Sequence, residues 1–216
     1  MRKATPELLL KAYENGVYPM AAHRWAGGFE WVDPKIRGIL PLETFHVSRS
    51  LAKLIRRNPF YIRVNTAFRE VVQGCAEPAP DRMGTWISFG IEDLYCELHA
   101  LGHAHCVEVW DDYQLVGGIY GVARGAAFFG ESMFSRVDNA SKVALVHLVA
   151  RLKAGGFRLL DTQAVTDHLR TFGGVEIPRN QYHRLLLDAL AGEADFFRLP
   201  QGADEASALQ SLTQTS

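Results

Sequence analysis

Residues 105–134 read HCVEVWDDYQLVGGIYGVARGAAFFGESMF and hold the clearest fold signal in the chain. Three strand-like runs are separated by polar turns, one at Asp111-Asp112 and one at Ala123-Arg124-Gly125, as in an antiparallel meander. Downstream, NASKVALVHLVARLKAGGF predicts a helix that starts near Asn139 or Ser141 and stops at Gly155-Gly156. RLLDTQAV follows as a short buried strand, then TDHLRTFGG and NQYHRLLLDALAG as helices. The last stretch, QGADEASALQSLTQTS, is polar and expected to fray.

Upstream, Thr5-Pro6-Glu7 before LLLKAYENG gives a helix start with Thr5 as cap and Gly16 as stop. The Gly-, Pro- and aromatic-rich text from Val17 to Leu42 predicts short strands and turns. A small N-terminal domain over residues 1–41 and a larger one over 42–216 are the expected division. HVSRSLAKLIRRNPF is a basic amphipathic helix capped by Ser48 or Ser50 and ended by Pro59. FYIRVN is a strand, and NTAFREVVQGCAE and the segment after ISFG are helices. A meander followed by a helix and a buried strand is an α+β pattern, in the order of an acetyltransferase-like (GNAT-type) mixed-sheet domain. The Gly-rich turn that cradles pyrophosphate in coenzyme A-dependent members is not visible, nor is a P-loop or a dinucleotide GxGxxG. No cofactor is expected.

A net charge of -1 argues against wholesale coating by nucleic acid but leaves room for a local basic patch. From His46 to Arg69 there is such a patch: Arg49, Lys53, Arg56, Arg57, Arg63 and Arg69 occur without an acidic residue. It suits phosphates, but a solvated helix face is the default reading. Cys75, Cys96 and Cys106 are odd in number and lack CxxC spacing, which fits reduced thiols in a cytoplasmic protein. His99, His103 and His105 cluster, but no carboxylate or Cys completes a tetrahedral set, so no metal is expected. Nothing approaches the roughly 18 apolar residues of a membrane span, and the N-terminus lacks the pattern of a signal peptide.

Three sets of residues carry candidate chemistry. Glu131 lies among Phe128, Phe129, Met133 and Phe134, where a carboxylate needs a cation, hydrogen-bond donors or a raised pKa. It reads as a receiver of a positively charged substrate group or as a structural carboxylate that caps a turn or pairs with Arg136. Asp161 and Gln163 share one face of a strand-like run, so Asp161 has the reach to orient the Gln163 amide. Gln163 is no strong base, so any catalysis there would rest on positioning, and a polar pair that closes a strand end is the favoured plain reading. Trp31 and Trp86 sit in loop-like text and suit base stacking, worth about 1–3 kcal/mol per base, or plain core packing.

The runs GVYPM, EWVDP, FHVSRSL, GTWI, LHALGHAHCVEVW, LVGGIYGV, FFGESMFSR, NASKVAL, LLDTQ, DHL, FGG and IPRNQY occur in the order typical of leucyl/phenylalanyl-tRNA–protein transferases. The chain resembles that family from Leu8 to about Leu190. The resemblance implies a cytoplasmic, monomeric enzyme that moves Leu or Phe, and less readily Met, from aminoacyl-tRNA to proteins beginning with Arg or Lys, marking them for N-end rule degradation. It implies direct aminolysis of the tRNA ester without a covalent intermediate. Asp161, Gln163 and Glu131 would serve catalysis, and Trp31 and Trp86 would hold the terminal adenosine. Ile119, Phe128, Leu145, Leu148 and Leu160 would line the donor pocket, and Arg49, Lys53, Arg56 and Arg57 would bind tRNA. Two positions depart from the pattern: Leu148 stands where some relatives carry an aromatic, and Cys106 replaces a Ser or Thr. Transfer to acceptors with N-terminal Asp or Glu is a rival that Glu131 disfavours by repulsion. A tRNA-binding module and a coenzyme A acyltransferase are the rivals from other classes.

Overall fold

A computed structural model describes residues 4–57, 60–78, 84–200, 210 and 212. Pro59 and nearly all of the polar C-terminal stretch lie outside the described residues. The chain begins with α1 (Pro6–Glu14), where the Thr5 hydroxyl accepts the Leu8 N–H and Gly16, at φ +73°, follows the helix end. Strands β1 (Tyr18–Met20) and β2 (Glu30–Val32) pair into a separate two-stranded sheet. Next come β3 (Ile36–Ile39), α2 (Arg49–Arg56), β4 (Tyr61–Val64), α3 (Phe68–Ala76) and α4 (Phe89–Ala100). Ser48 and Ser88 cap α2 and α4 through their side chains.

The expected meander is present as β5 (Ala104–Asp111), β6 (Gln114–Arg124) and β7 (Ala127–Ser135). Asp112 takes a positive φ in the first turn, and the second reverses at Gly125. Helix α5 (Ala140–Gly155) leads to β8 (Leu159–Gln163), then to a single turn α6 (Asp167–Arg170), β9 (Val175–Pro178) and α7 (Arg179–Leu190). Asn139 precedes α5 with a left-handed backbone and makes no side-chain cap. Strand β9 has no counterpart in the reading of the sequence.

Seven strands form one mixed sheet in the order β4-β5-β6-β7-β8-β3-β9. Strand β3, upstream of residue 41, therefore lies inside the main sheet between β8 and β9. All neighbours are antiparallel except β7 and β8. That parallel pair holds only from Ala127↔Leu159 to Phe129↔Asp161, after which β7 continues to Ser135 without β8. Side chains alternate between two cores, as the strand period requires. Val116, Ile119, Phe128 and Leu160 pack on one side with α5 and α2. Leu115, Tyr120, Phe129 and Leu159 pack on the other with α1, α3, α4 and α7. Among the described residues no helix is long and apolar enough to cross a membrane.

Candidate active site

Where β7 and β8 part, a pocket of about 360 Å³ opens between them. Gly130, Glu131, Ser132 and Met133 line it from β7, and Leu160, Thr162, Gln163 and Ala164 from the end of β8 and just beyond. Ile119 and Leu145 add apolar surface from the α5 side of the sheet, and Leu169 from α6. Tyr18 and Met20 of β1 and Trp86, just before α4, complete the wall.

Two carboxylates organise the site, Glu131 in the pocket wall and Asp161 behind it. Glu131 accepts hydrogen bonds from Tyr95 at 2.6 Å and Tyr13 at 2.7 Å, and these phenols also touch each other at 2.7 Å. Gln163 Nε2 approaches Glu131 Oε1 at 3.4 Å, which leaves the amide oxygen as the acceptor that side chain offers. Burial pushes the Glu131 carboxyl up to about 7, and the two phenols and Arg37 oppose that shift. Arg136 pairs with Glu77 at 2.7 Å, so it is not the partner of Glu131.

Asp161 is fully buried and does not line the pocket. Arg37 binds it through Nε at 2.9 Å and Nη2 at 2.6 Å, and Tyr182 donates its hydroxyl at 2.7 Å. The remaining contact reverses a detail expected from the sequence. Asp161 Oδ1 accepts the main-chain N–H of Gln163 at 2.8 Å and makes no bond to its amide group. Asp161 thus fixes the backbone that carries Gln163. That backbone is unusual: Gln163 has φ +57°, and the Ala164 N–H bonds back to Thr162 O at 2.6 Å. This is a tight positive-φ γ-turn, a strained arrangement kept only where its surroundings enforce it. Gly38 of β3 permits the close approach, since a Cβ there would lie 2.5 Å from the Ala164 carbonyl carbon.

The structure brings together most of the expected site residues and separates others. Ile119, Leu145 and Leu160 reach the pocket, whereas Phe128 and Leu148 are buried in the core and absent from its lining. Phe128 instead stacks on Phe196 with centroids 5.7 Å apart. Trp86 lines the pocket and meets Tyr95 edge-on, but Trp31 stands outside the lining, half exposed against Phe29. Met20, on the strand paired with that of Trp31, lines the wall. Sequence reasoning also missed Arg37, Tyr13, Tyr95 and Tyr182. Their partners lie far along the chain, so only the fold reveals them.

Arg49, Lys53, Arg56 and Arg57 are all exposed on or beside α2, and none forms an ion pair among the described residues. Lys53 and Arg57 share a second cleft of about 540 Å³ with Lys142 from the first turn of α5. The two clefts flank α6: Thr166 and Leu169 line the first, Thr171 and Phe172 the second. Arg69 and Arg63 are engaged elsewhere, Arg69 with Glu92 and Asp93 and Arg63 over the Trp110 ring. Among the described residues no group of three His, Cys, Asp or Glu side chains has the arrangement of a metal site.

Comparison with known proteins agrees with the ordered motifs. A family model described as leucyl/phenylalanyl-tRNA protein transferase matches residues 39–187. A leucyl/phenylalanyl-tRNA–protein transferase of Nitrobacter winogradskyi is 59% identical over 196 residues, covering 91% of this chain and 87% of the relative. One from Phenylobacterium zucineum is 56% identical over 213 residues and covers 96% of both chains. One from Rhodopseudomonas palustris is 56% identical over 91% of this chain and 87% of its own. The chain belongs to the leucyl/phenylalanyl-tRNA protein transferase family, a family of transferase enzymes.

Proposed function

We propose that this enzyme moves Leu or Phe, and less readily Met, from aminoacyl-tRNA to the N-terminal Arg or Lys of acceptor proteins. The observation that carries the reading is one pocket whose apolar lining adjoins Glu131 and Gln163. An apolar slot of Ile119, Met133, Leu145, Leu160 and Leu169 accepts a long unbranched or aromatic side chain and resists β-branched ones by shape. Phe128 and Leu148 shape it from behind. Trp86 supplies a flat face for the terminal adenosine, with Met20 on the same wall and Trp31 beyond it. Arg49, Lys53, Arg56 and Arg57 take backbone phosphates of the tRNA on the far side of α6.

An aminoacyl ester is already activated, so the enzyme mainly aligns the reacting groups. The Gln163 amide oxygen accepts an N–H of the neutral acceptor amine and points its lone pair at the ester carbonyl carbon. The C–N bond forms as the C–O bond to the ribose breaks, and the amine proton passes to the departing ribose oxygen. Glu131 faces the positive charge of the acceptor, with lone pairs left after the phenol bonds. No covalent enzyme intermediate and no cofactor enter. In this reading the enzyme acts as a monomer. Its products enter N-end rule degradation in the cytoplasm. The single parallel pair β7 and β8, joined by α5 and diverging at the pocket, supports an acetyltransferase-like core preceded by a small N-terminal unit.

A transfer assay with labelled Leu-tRNA and Phe-tRNA tests the reading, using peptides that begin with Arg, Lys, Asp or Ala. Label should reach the Arg and Lys peptides well above the others. Equal transfer to all four, or transfer to the Asp peptide alone, would sink the acceptor assignment.

A further inference from the structure

Arg37 is the largest fully buried side chain among the described residues. A buried guanidinium is costly unless its donors are met, and here they are divided between two walls of the pocket. Nε and Nη2 hold Asp161, the carboxylate that accepts the Gln163 main-chain N–H. Nη1 donates to the carbonyl oxygen of Gly16 at 2.8 Å. Gly16 takes a left-handed φ of +73°, and the chain leaving it becomes β1, which carries Tyr18 and Met20 into the pocket. The flat guanidinium also lies between two rings, 4.6 Å from Tyr18 and 4.5 Å from Tyr182. Tyr182 completes the shell through its hydrogen bond to Asp161 Oδ2.

We propose that Arg37 is a positioning residue for transfer: it holds Gln163 through Asp161 and the Tyr18–Met20 wall through Gly16, fixing the spacing of the two walls. This rests on the transfer reading above. Neither Arg37 nor Asp161 lines the pocket, so both act through what they hold. The strained turn at Gln163 makes such support necessary, because without Asp161 the chain relaxes to a negative φ and the amide swings away. A Lys at position 37 keeps the charge but has one compact donor head, which cannot serve Asp161 and Gly16 together in this geometry.

The test is a set of steady-state measurements on the full chain with Phe-tRNA and an Arg-initiated peptide. Wild type is compared with Arg37→Lys, Tyr182→Phe, Gln163→Ala and the Tyr182→Phe/Gln163→Ala double variant, all checked by thermal unfolding. Arg37→Lys should lower kcat about 10- to 100-fold, as small misplacements of reacting groups do, and raise the donor KM. Tyr182→Phe should lower kcat at unchanged donor KM. In the Gln163→Ala background Tyr182→Phe should cost nothing further, because both changes act through one group. Additive losses in the cycle overturn the proposal, since a purely structural role adds. Should the Lys variant fail to fold, the Tyr182→Phe cycle decides alone. Absence of transfer by wild type instead overturns the underlying reading, and the inference with it.

Discussion

The Asp161 carboxylate binds the main-chain N–H of Gln163 at 2.8 Å, and the Gln163 side chain turns to Glu131 at 3.4 Å. Backbone and side chain of one residue are therefore held by different carboxylates. A substitution at Gln163 can separate the two functions. Gln163→Gly should be roughly 1 kcal/mol more stable than Gln163→Ala, because glycine takes φ +57° without strain. Both should lose most of kcat. Chemical denaturation of the pair, read beside their transfer rates, checks this, and a stable, active Gln163→Ala would contradict the assigned role of the amide.

Gly38→Ala should damage the site from outside it. The added methyl meets the Ala164 backbone, which cannot give way as a flexible side chain would. A loss of about 1–3 kcal/mol is the usual scale for overpacking, with a fall in kcat as the Gln163 turn shifts. Unaltered stability and transfer would show that β3 does not constrain that turn.

Glu131 should leave a signature in stability against pH. Its folded pKa is raised from 4.5 to about 7, so the native state keeps a proton that the unfolded chain releases. That contribution is fully present below pH 4.5 and is lost as pH rises through about 7. The Tm of Glu131→Gln should thus gain on wild type across this window and run parallel to it at higher pH. In transfer assays the same variant should lose preference for Arg over Ala peptides. Parallel Tm curves throughout would remove Glu131 from the account.

The pocket residues should divide by position. Leu145→Ala and Ile119→Ala should shift the Leu/Phe donor ratio, because these side chains face the slot. Phe128→Ala should act mainly on stability, losing about 3–5 kcal/mol as buried aromatics do. Competition between Leu-tRNA and Phe-tRNA, with unfolding measured in parallel, distinguishes the two patterns.

Neutralising Arg56 and Arg57 together should weaken tRNA binding and flatten its salt dependence by about one slope unit per lost phosphate contact. Affinity measured at several salt concentrations checks both. An unchanged slope would make this face merely solvated.

Much of this molecule was legible in residue order. The meander announced itself through three strand-like runs and two polar turns, and Thr5, Ser48 and Gly156 marked helix ends by their own chemistry. Glu131 and Gln163 stood out because polar groups beside aromatics or strand ends need explaining. Arg37 did not, since a charged residue in a short strand reads as exposed, and its partner lies 124 residues away. Strand β9 is four residues ending in Pro178, too short to show a period. Trp31 and Met20 lie on paired strands, and only their register, with Pro19 opposite Trp31, puts Met20 on the pocket side.

The insertion of β3 between β8 and β9 also governs how the chain matures during synthesis. An N-terminal strand leaves the ribosome early but finds both neighbours only after Pro178 has been made. Until then one of its edges stays unpaired although β8 is already available to the other, and pairing over so long a separation is slow. A nascent chain halted before β9 also lacks Tyr182, which donates to Asp161 beside Arg37. Full pairing of β3 is therefore a late event in synthesis, completed only when Ile36–Ile39 meets Val175–Pro178.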